Sequence, residues 1–532
     1  MVVLAGEAVL VLEFKSTALI QAGHVDQVGA YARDLAEYHE ASHWRTVKAV
    51  LVSTALRRPV RKAGLVSICG PDSLADILSE LSAPGTIDFA AWLTAPYAPL
   101  PSLVSAARRI FREESLPHVR RAFAARIPET IELTQSLIDE AETEGRRRLI
   151  LITGVPGAGK TLVGLRLVYE RADAKATSTF LSGNGPLVQV LQDALGSGVF
   201  VRDLHKFITS YGKTARVPDQ HVLVFDEAQR AWDSGYMFQK KGVPHSEPEL
   251  LVGIADRLPS WATLIGLVGT GQAIYSGEEG GMPLWREAAA ASEEPWEVFC
   301  PPELTEIFRG LDVTVVDDLD LGISLRSRQA EDLHEWVAAV LAGDLSAAES
   351  IASKEWRASF PLYLTRNLDE AREYARERYS NEPDPRYGLL ASSHATNLEQ
   401  LGIDNSWITT SRMKLARWYN APPDDALSCC SLTQPVTEFS CQGLELDLPI
   451  VCWGNDARWV GNGWAYQPKR RQYPITDPIG LLRNTYRVLL TRGRDGLLIW
   501  VPPTAEMDET ARALELAGVA GDWQRQIAVL SR

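Results

Sequence analysis

A glycine-rich segment at residues 149–161 carries residue types that bind phosphate groups. It consists of an apolar run, Leu-Ile-Leu-Ile-Thr, followed by Gly-Val-Pro-Gly-Ala-Gly-Lys-Thr. Residues 162–168 then have the apolar pattern of a helix. A strand, a loop of the form Gly-x-x-x-x-Gly-Lys-Thr and a helix, in this order, are typical of a phosphate-binding loop. The segment therefore predicts that the chain binds a nucleoside triphosphate, ATP, together with Mg²⁺.

The residues of this loop have distinct chemical roles. Gly154 begins the pattern, and Gly157 and Gly159 allow backbone conformations that are closed to residues with a Cβ. The backbone N–H groups of the loop would surround the β-phosphate at the N-terminus of the following helix. Lys160 would neutralise charge on the β- and γ-phosphates, and the Thr161 hydroxyl would bind Mg²⁺.

A second apolar run, at residues 221–225, ends in two carboxylates, Asp226 and Glu227. In open sheets of parallel strands, nucleotides bind outside the carboxyl ends of the strands. We predict that Asp226 holds Mg²⁺ and that Glu227 orients and deprotonates the attacking water. Alternating strand and helix patterns around both motifs predict an α/β fold of parallel sheets covered by helices.

Composition and charge limit what the whole chain can be. Its 532 residues are enough for about three domains, at one domain per ~150 residues, and its hydrophobic fraction of 45% is ordinary for a globular protein. The net charge is −14, so a nucleic-acid track must be a local basic groove. The six cysteines lack zinc-site spacing, and no apolar segment is long enough to span a membrane. These features predict a cytoplasmic chain with free thiols.

Five further short motifs occur outside the phosphate loop and Asp226–Glu227. They lie at residues 180–187, 268–281, 324–328, 437–447 and 484–494. Their order resembles that of a superfamily 1 helicase, and most closely the Schlafen group 3-like DNA/RNA helicase domain, from about residue 126 to the C-terminus. The resemblance implies two RecA-like lobes, at residues 126–320 and 321–532, with ATP between them. It also implies single-stranded DNA or RNA as the partner.

The same resemblance assigns roles to residues within these motifs. It implies that Gln272 senses the γ-phosphate, although Thr270 stands where the family has an aspartate. Arg326 and Arg492 would be catalytic arginines that reach the γ-phosphate when the lobes close. Glu445 would contact the ribose. The residues that the resemblance places on nucleic acid are Ser182, Asn184, Thr437 and Gln442.

The N-terminal region carries an unrelated motif. A predicted strand ends in Glu13-Phe-Lys15, and a predicted helix then carries Gln27-Val-Gly-Ala-Tyr31. This pattern resembles the core of the PD-(D/E)XK nucleases, and its Gln-x-x-x-Tyr element resembles their RecB and Cas4 branch. The resemblance implies a restriction-endonuclease-like α/β domain over residues 1–125. In such a site Glu13 would bind metal, and Lys15 would position or activate water.

One part of the nuclease pattern lacks a counterpart in this sequence. The family has an aspartate on a strand before Glu-x-Lys, whereas Glu7 is the nearest acidic residue before Glu13 and belongs to the same predicted strand or its turn. Two explanations stay open, an inactive site and a start codon upstream of Met1.

Taken together, these motifs predict an ATP-dependent nucleic-acid motor, either a helicase or a translocase. Two alternatives stay open. One is an ATP-gated nuclease that cuts with the N-terminal domain. The other is an ATPase switch that senses nucleic acid or a protein partner without unwinding. Such pairings of domains resemble bacterial DNA repair or phage-defence proteins.

Overall fold

The structure is a computed structural model of the chain. It describes residues 1–57, 61–97, 103–111, 126–154, 158–171, 177–212, 214–269, 281–321, 328–380, 382–468, 477–521 and 523. The chain divides into two compact units. The terminal unit combines Met1–Leu100 with Arg328–Gln472 and Asp477–Arg532, and the central unit contains Pro101–Ser327.

The N-terminal part of the terminal unit is a five-stranded sheet with helices on both faces. Its strands are β1 (Val2–Ala5), β2 (Ala8–Lys15), β3 (Val47–Ser53), β4 (Arg61–Ala63) and β5 (Val66–Cys69), and its helices are Ala22–Tyr38, Leu74–Leu81 and Phe89–Thr94. The strand order is β1-β2-β3-β5-β4, in which β2, β3 and β5 are parallel and the two edge strands are antiparallel.

Strand β2 shows why helices cover both faces of this sheet. Successive side chains of a strand lie on opposite faces, and in β2 they are apolar on both. Val11 packs in a cluster with Val28 of the helix Ala22–Tyr38, whereas Leu10 packs in a separate cluster with Ile77 of the helix Leu74–Leu81. Helices therefore cover both faces along the buried part of the strand, which ends at Glu13 and Lys15 beyond Leu12.

The central unit is built on an eight-stranded sheet whose described strands all pair in parallel. The strands are β6 (Arg147–Gly154), β7 (Thr177–Ser182), β8 (Val201–Asp203), β9 (Gln220–Phe225), β10 (Ala262–Gly269), β11 (Trp296–Cys300), β12 (Asp312–Val315) and β13 (Asp320–Leu321). Their order is β12-β11-β6-β10-β9-β7-β8, and β13 lies beside β6. The helices are Leu103–Phe111, Ile127–Glu144, Lys160–Glu170, Gly185–Leu195, Leu204–Gly212, Ser234–Lys241, Glu247–Ala255 and Pro283–Ala291.

The C-terminal part of the terminal unit contains a second sheet of parallel strands. Its strands and an adjoining hairpin are β14 (Leu362–Thr365), β15 (Tyr387–Ala391), β16 (Val436–Thr437), β17 (Leu448–Cys452), β18 (Ala457–Val460), β19 (Gly463–Tyr466) and β20 (Leu497–Trp500). The sheet order is β14-β20-β17-β15-β16, and β18 and β19 form the antiparallel hairpin. The helices are Arg328–Ala342, Leu345–Ala352, Leu368–Arg378, Trp407–Arg412, Leu415–Asn420, Glu438–Cys441, Pro478–Leu490 and Asp508–Leu516.

These sheets confirm the predicted α/β fold class with the parallel sheets expected of two RecA-like lobes. Contacts group the chain into two units, and the predicted domain bounds, 1–125, 126–320 and 321–532, stay predictions. Met1–Leu100 lies with the C-terminal part of the chain, whereas the helix Leu103–Phe111 packs against the helices Lys160–Glu170 and Gly185–Leu195 of the central unit. The six cysteines are buried and unpaired.

Among the described residues, the structure contains no helix with the length and apolar character needed to cross a membrane.

A polar cluster fixes the helix Ala22–Tyr38 to the C-terminal part of the terminal unit. Asp26 Oδ2 accepts hydrogen bonds from the Tyr363 hydroxyl at 3.0 Å and from the Tyr374 hydroxyl at 2.6 Å. Arg378, whose side chain is buried, donates to the Tyr374 hydroxyl at 3.0 Å. Desolvation raises the pKa of Asp26, and the charge of Arg378 opposes that rise. The cluster joins two parts of the chain that are far apart in sequence.

We expect Asp26→Ala to lower the free energy of unfolding by about 2–4 kcal/mol, because two tyrosine hydroxyls lose their shared acceptor inside the unit. Differential scanning calorimetry measures the loss. Glu80→Ala removes an exposed carboxylate from the helix Leu74–Leu81 and serves as the matched control, with an expected change within about 0.5 kcal/mol. Equal effects of the two substitutions would contradict the role of Asp26.

Candidate functional site

Strand β6 and the helix Lys160–Glu170 flank the phosphate-binding motif in the order that its sequence predicts. Gly154 is the last residue of β6, and a Cβ there would lie 2.9 Å from the Leu321 Cβ. Gly159 precedes the helix with a φ of 90°, in the left-handed region that glycine adopts without strain. The helix therefore starts immediately after Gly159, and the N-terminus of a helix is an environment that favours an anion.

The helix Lys160–Glu170 lies close against the sheet because Gly164 has no side chain. A Cβ at Gly164 would lie 2.7 Å from Leu267 Cδ1, 2.8 Å from Phe180 Cε2 and 3.0 Å from Val224 Cγ1. These three side chains belong to β10, β7 and β9. The close contact sets the distance from the sheet to the first turn of the helix, where Lys160 and Thr161 lie.

The four residues predicted to bind nucleotide and metal lie close together. The Thr161 hydroxyl donates to Asp226 Oδ1 at 3.2 Å, and Asp226 and Glu227 directly follow β9. Lys160 Nζ donates to the Gly154 carbonyl oxygen at 2.7 Å, across the phosphate-binding loop. The structure thus places a hydroxyl, an ammonium and two carboxylates at one edge of the sheet.

The electrostatics of Asp226 fit a divalent cation. Burial, and then the neighbouring Glu227 carboxylate, raise the pKa of Asp226 to about 7, while the Thr161 hydrogen bond and the Lys160 charge oppose the rise. A hydroxyl oxygen beside a carboxylate is the type of hard oxygen donor set that Mg²⁺ prefers. The charge of the cation would also stabilise the ionised form of Asp226. Thr161 and Asp226 therefore fit Mg²⁺.

Glu227 has an unusual backbone conformation. Its φ of 58° lies in the left-handed region, which costs a residue with a side chain about 1–2 kcal/mol. Gln229 Nε2 donates to Glu227 Oε2 at 2.5 Å, and Gln229 Oε1 accepts from the Gly269 N–H at 2.7 Å. Gln229 thus links Glu227 to the end of β10. Backbone strain of the kind seen at Glu227 is frequent at functional sites.

Gln229 lies two residues after Glu227 in the sequence Asp-Glu-Ala-Gln of residues 226–229, and no role was predicted for it. A Cβ at Gly269 would lie 2.8 Å from Gln229 Nε2, so the glycine makes room for this side chain. The only signal in the sequence was the position of Gln229 two residues after Glu227. We therefore regard Gln229 as a positioning residue for Glu227.

Two further carboxylates lie beside the end of β6. The Thr153 hydroxyl hydrogen-bonds to Glu303 Oε1 at 2.6 Å and to Asp320 Oδ1 at 2.9 Å. Glu303 and Asp320 were not predicted from the sequence, because neither lies in a short motif with the phosphate-binding loop. These contacts fix the strand end from which the loop departs.

Ser182 and Asn184, which are predicted to contact nucleic acid, form the turn after β7. The Asn184 N–H donates to Ser182 Oγ at 3.2 Å, and Asn184 Oδ1 accepts from the Leu187 N–H at 3.3 Å. The second bond caps the helix Gly185–Leu195. Since β7 is parallel to β9, this turn lies at the same sheet edge as Asp226.

Thr437, Gln442, Glu445 and Arg492 lie in the C-terminal part of the terminal unit. Thr437 is the buried last residue of β16, and Gln442 directly follows the helix Glu438–Cys441. Glu445 Oε2 lies 3.9 Å from the Arg494 Nε. The roles of these residues on nucleic acid and ribose stay predictions.

The Arg492 side chain donates to backbone carbonyl oxygens within the terminal unit. Its Nε donates to the Val488 oxygen at 2.9 Å, and its Nη1 donates to the Leu444 oxygen at 3.4 Å. To act on the γ-phosphate, Arg492 would have to break some of these hydrogen bonds and donate to the phosphate oxygens instead. Its catalytic role stays a prediction.

Three predicted site residues, Gly157, Gln272 and Arg326, lie outside the residues that the structure describes. Thr270 lies outside them as well. Their predicted roles as loop glycine, γ-phosphate sensor and catalytic arginine stay predictions.

The three residues of the candidate nuclease site lie together. Lys15 Nζ lies 3.1 Å from Glu13 Oε1 and donates to Gln27 Oε1 at 2.8 Å. Within the described parts of the chain, no group of three His, Cys, Asp or Glu residues is arranged to hold a metal ion. The structure thus brings the motif together without confirming a nuclease.

A known family matches the part of the chain that contains the phosphate-binding loop and the motifs that follow it. The sequence profile described as Schlafen group 3, DNA/RNA helicase domain, matches residues 147–503. No curated protein matches the chain.

Several solved structures resemble the chain weakly. The helicase domain of Pyrococcus furiosus Hef is 11% identical, and the match covers 72% of this chain and 97% of that chain with a TM-score of 0.25. The DUF1998 helicase MrfA bound to DNA and AMPPNP is 10% identical over 80% of this chain and 55% of that chain, with a TM-score of 0.26. MrfA bound to DNA is 12% identical over 80% and 53%, with a TM-score of 0.28. Because these TM-scores are low, the similarities carry no argument about fold or activity.

We expect Gly164→Ala to lower the free energy of unfolding by about 1–3 kcal/mol and to weaken ATP binding, because the new methyl group overlaps the sheet. Gly253→Ala is the matched control. Gly253 lies in the helix Glu247–Ala255 with no atom within 4 Å of an added Cβ, so that substitution should stabilise the chain by up to about 1 kcal/mol. Calorimetry and titration with a non-hydrolysable ATP analogue measure both effects. Equal stabilities of the two variants would contradict the close contact at Gly164.

Proposed function

The chain belongs to the Schlafen group 3 DNA/RNA helicase domain family, whose profile spans residues 147–503 of its 532 residues. We propose that it is an ATP-dependent nucleic-acid motor, a helicase or translocase of superfamily 1. The observation that carries this proposal is the contact between Thr161 and Asp226, which joins the phosphate-binding motif to the carboxylate motif. Two motifs that are separate in sequence thus meet at one edge of the sheet.

In the proposed reaction, the loop around Gly159 binds the phosphates of ATP with its backbone N–H groups. Lys160 neutralises the charge of the β- and γ-phosphates. Thr161 and Asp226 would hold Mg²⁺, which supplies positive charge to the phosphate oxygens when bound. Glu227 accepts a proton from the attacking water and orients it toward the γ-phosphate.

Gln229 contributes to the proposed reaction by holding Glu227. Its amide contacts both the Glu227 carboxylate and the backbone at the end of β10. A base with a fixed carboxylate orientation needs less rearrangement when the attacking water binds. The strained backbone of Glu227 is consistent with this requirement.

We assign the remaining roles from the family resemblance. Gln272 would sense the γ-phosphate, and Arg326 and Arg492 would stabilise charge on it during transfer. Ser182, Asn184, Thr437 and Gln442 would contact single-stranded DNA or RNA, and Glu445 would contact the ribose. Domain motion driven by hydrolysis would then move the strand.

The first test is ATP hydrolysis by the purified chain without nucleic acid and with single-stranded DNA, duplex DNA or RNA, at low and moderate salt. We expect stimulation by at least one single-stranded nucleic acid, which would identify the track. A strand-separation assay then distinguishes a helicase from a translocase. Clear basal hydrolysis without stimulation by any nucleic acid would contradict the motor and support a protein-regulated switch.

Within that assay, we expect Lys160→Ala to lower the rate of ATP hydrolysis by about 10²–10³, because one preorganised positive charge is lost from the transferring phosphate. Glu227→Gln should lower the rate by about 10²–10⁴ and leave ATP binding intact, since only the base is removed. Lys354→Ala is the control, because Lys354 forms exposed ion pairs with Asp332 and Glu335. Full activity of the Lys160 variant would show that the site assignment is wrong.

A further inference from the structure

The nuclease-like motif of the N-terminal region faces another part of the same unit. Gln27 and Tyr31 lie on the helix Ala22–Tyr38, which packs against the helix Leu368–Arg378. The two helices approach closely at Gly23, where a Cβ would lie 3.0 Å from the Glu377 Cβ. The face of the helix that carries the motif is therefore covered by protein.

Two residues that follow the helix Leu368–Arg378 bind the motif directly. The Tyr31 hydroxyl donates to Glu382 Oε1 at 2.5 Å. Gln27 Nε2 lies 3.2 Å from the Ser380 carbonyl oxygen, to which it donates, and 3.4 Å from Glu382 Oε1. Both residues of the Gln-x-x-x-Tyr element thus share one carboxylate from the C-terminal part of the chain.

Lys15 extends the same set of contacts back to β2. Its ammonium group donates to Gln27 Oε1 at 2.8 Å and to Ser380 Oγ at 3.5 Å, and it forms an ion pair with Glu13 Oε1 at 3.1 Å. An ammonium group can donate three hydrogen bonds, and Lys15 has one acceptor for each of its three protons. Only 13% of the Lys15 side chain is exposed, so little of it is accessible to water.

These contacts do not fit a metal-dependent nuclease site. Such a site needs carboxylates that share a metal and a lysine that faces the attacking water. Here the Glu13 carboxylate neutralises Lys15, and Lys15 faces Gln27 and Ser380. Within the described residues, no set of three metal-ligating side chains assembles. The motif residues bind protein groups in the places where the nuclease chemistry would need metal and water.

Further polar contacts hold the same helix in place beyond the motif. Arg33 Nη1 donates to the Ser359 carbonyl oxygen at 2.9 Å, and Arg33 Nη2 lies 3.4 Å from Asp495 Oδ1. Asp26 accepts hydrogen bonds from the hydroxyls of Tyr363 and Tyr374 in the C-terminal part. The helix is therefore held on both sides of Gln27 and Tyr31, at Asp26 and at Arg33.

We propose that Glu13, Lys15, Gln27 and Tyr31 form a docking site for Ser380 and Glu382, and that this docking site is not a nuclease centre. Its function is to hold the N-terminal sheet on the C-terminal part of the terminal unit, so that both move as one body. The proposal concerns the terminal unit alone and does not depend on the proposed ATPase. Its partner is a segment of this chain that offers a carboxylate, a hydroxyl and a carbonyl oxygen.

The first experiment measures docking in the full-length chain by hydrogen–deuterium exchange. Glu382→Gln keeps the size of the side chain and removes its charge. We expect faster exchange in the helices Ala22–Tyr38 and Leu368–Arg378, with exchange in the helix Lys160–Glu170 unchanged. Glu399→Gln, on an exposed glutamate of the same unit, is the matched control and should change neither helix. Unchanged exchange in the Glu382 variant would overturn the docking role.

A double-mutant cycle tests whether the contact itself is responsible. Tyr31→Phe removes the hydroxyl that binds Glu382, and we expect each single variant to unfold about 2–8 °C lower by calorimetry. The double variant should unfold at nearly the same temperature as the less stable single variant, because Tyr31→Phe removes, and Glu382→Gln weakens, the same charge-assisted hydrogen bond. Strictly additive shifts would overturn the proposal.

A third experiment tests for cutting of nucleic acid. The full-length chain is incubated with Mg²⁺ or Mn²⁺, with and without ATP, on labelled single-stranded DNA, duplex DNA and RNA. We expect no cleavage above that of Glu13→Ala. Metal-dependent cleavage that is present in the original chain and lost in Glu13→Ala would overturn the proposal and support the ATP-gated nuclease. A cooperative unfolding transition of the same preparation, measured by calorimetry, shows that the chain is folded.

Discussion

The parallel pairing of β6, β10 and β9 is the constraint on which the candidate site depends. β10 pairs with β6 along its whole length, and its other edge pairs with β9. Because parallel strands end at the same edge, the residues after β6 and β9 meet there. The Thr161 hydroxyl and Asp226, 65 positions apart, are thereby brought to 3.2 Å. A slip of one strand by one residue would turn its side chains to the other face and separate this pair.

Close packing maintains the same edge. Gly154, Gly164 and Gly269 each lie where a Cβ would overlap a neighbouring side chain. The absence of these side chains allows strand, helix and loop to approach one another, and the packing excludes water from Asp226. Burial and the adjacent Glu227 then raise the pKa of Asp226 to about 7, a shift that is typical of functional sites. Close packing at this edge therefore contributes both to the positions of the site residues and to the raised pKa of Asp226.

In the terminal unit, the chemistry that the nuclease-like motif can support depends on the groups that its residues contact. Glu13, Lys15 and Gln27 have the types and spacing of a nuclease motif, but their partners are one another, Ser380 and Glu382. A lysine that is neutralised and hydrogen-bonded by protein groups stabilises an interface, since its protons are already bound to acceptors. The same residue types in contact with water and metal would support hydrolysis.

Local patterns in the sequence determined the α/β class, the phosphate-binding loop between strand and helix, and the position of Asp226 and Glu227 at a strand end. These features depend on the spacing of neighbouring residues, which a sequence contains in full. Only the tertiary structure decided that Gln229 contacts Gly269, that Glu303 and Asp320 flank Thr153, and that the N-terminal sheet lies with the C-terminal part of the chain. Most of these contacts join residues that are distant in sequence. They depend on strand order and side-chain packing, which are properties of the whole unit and not of a local segment.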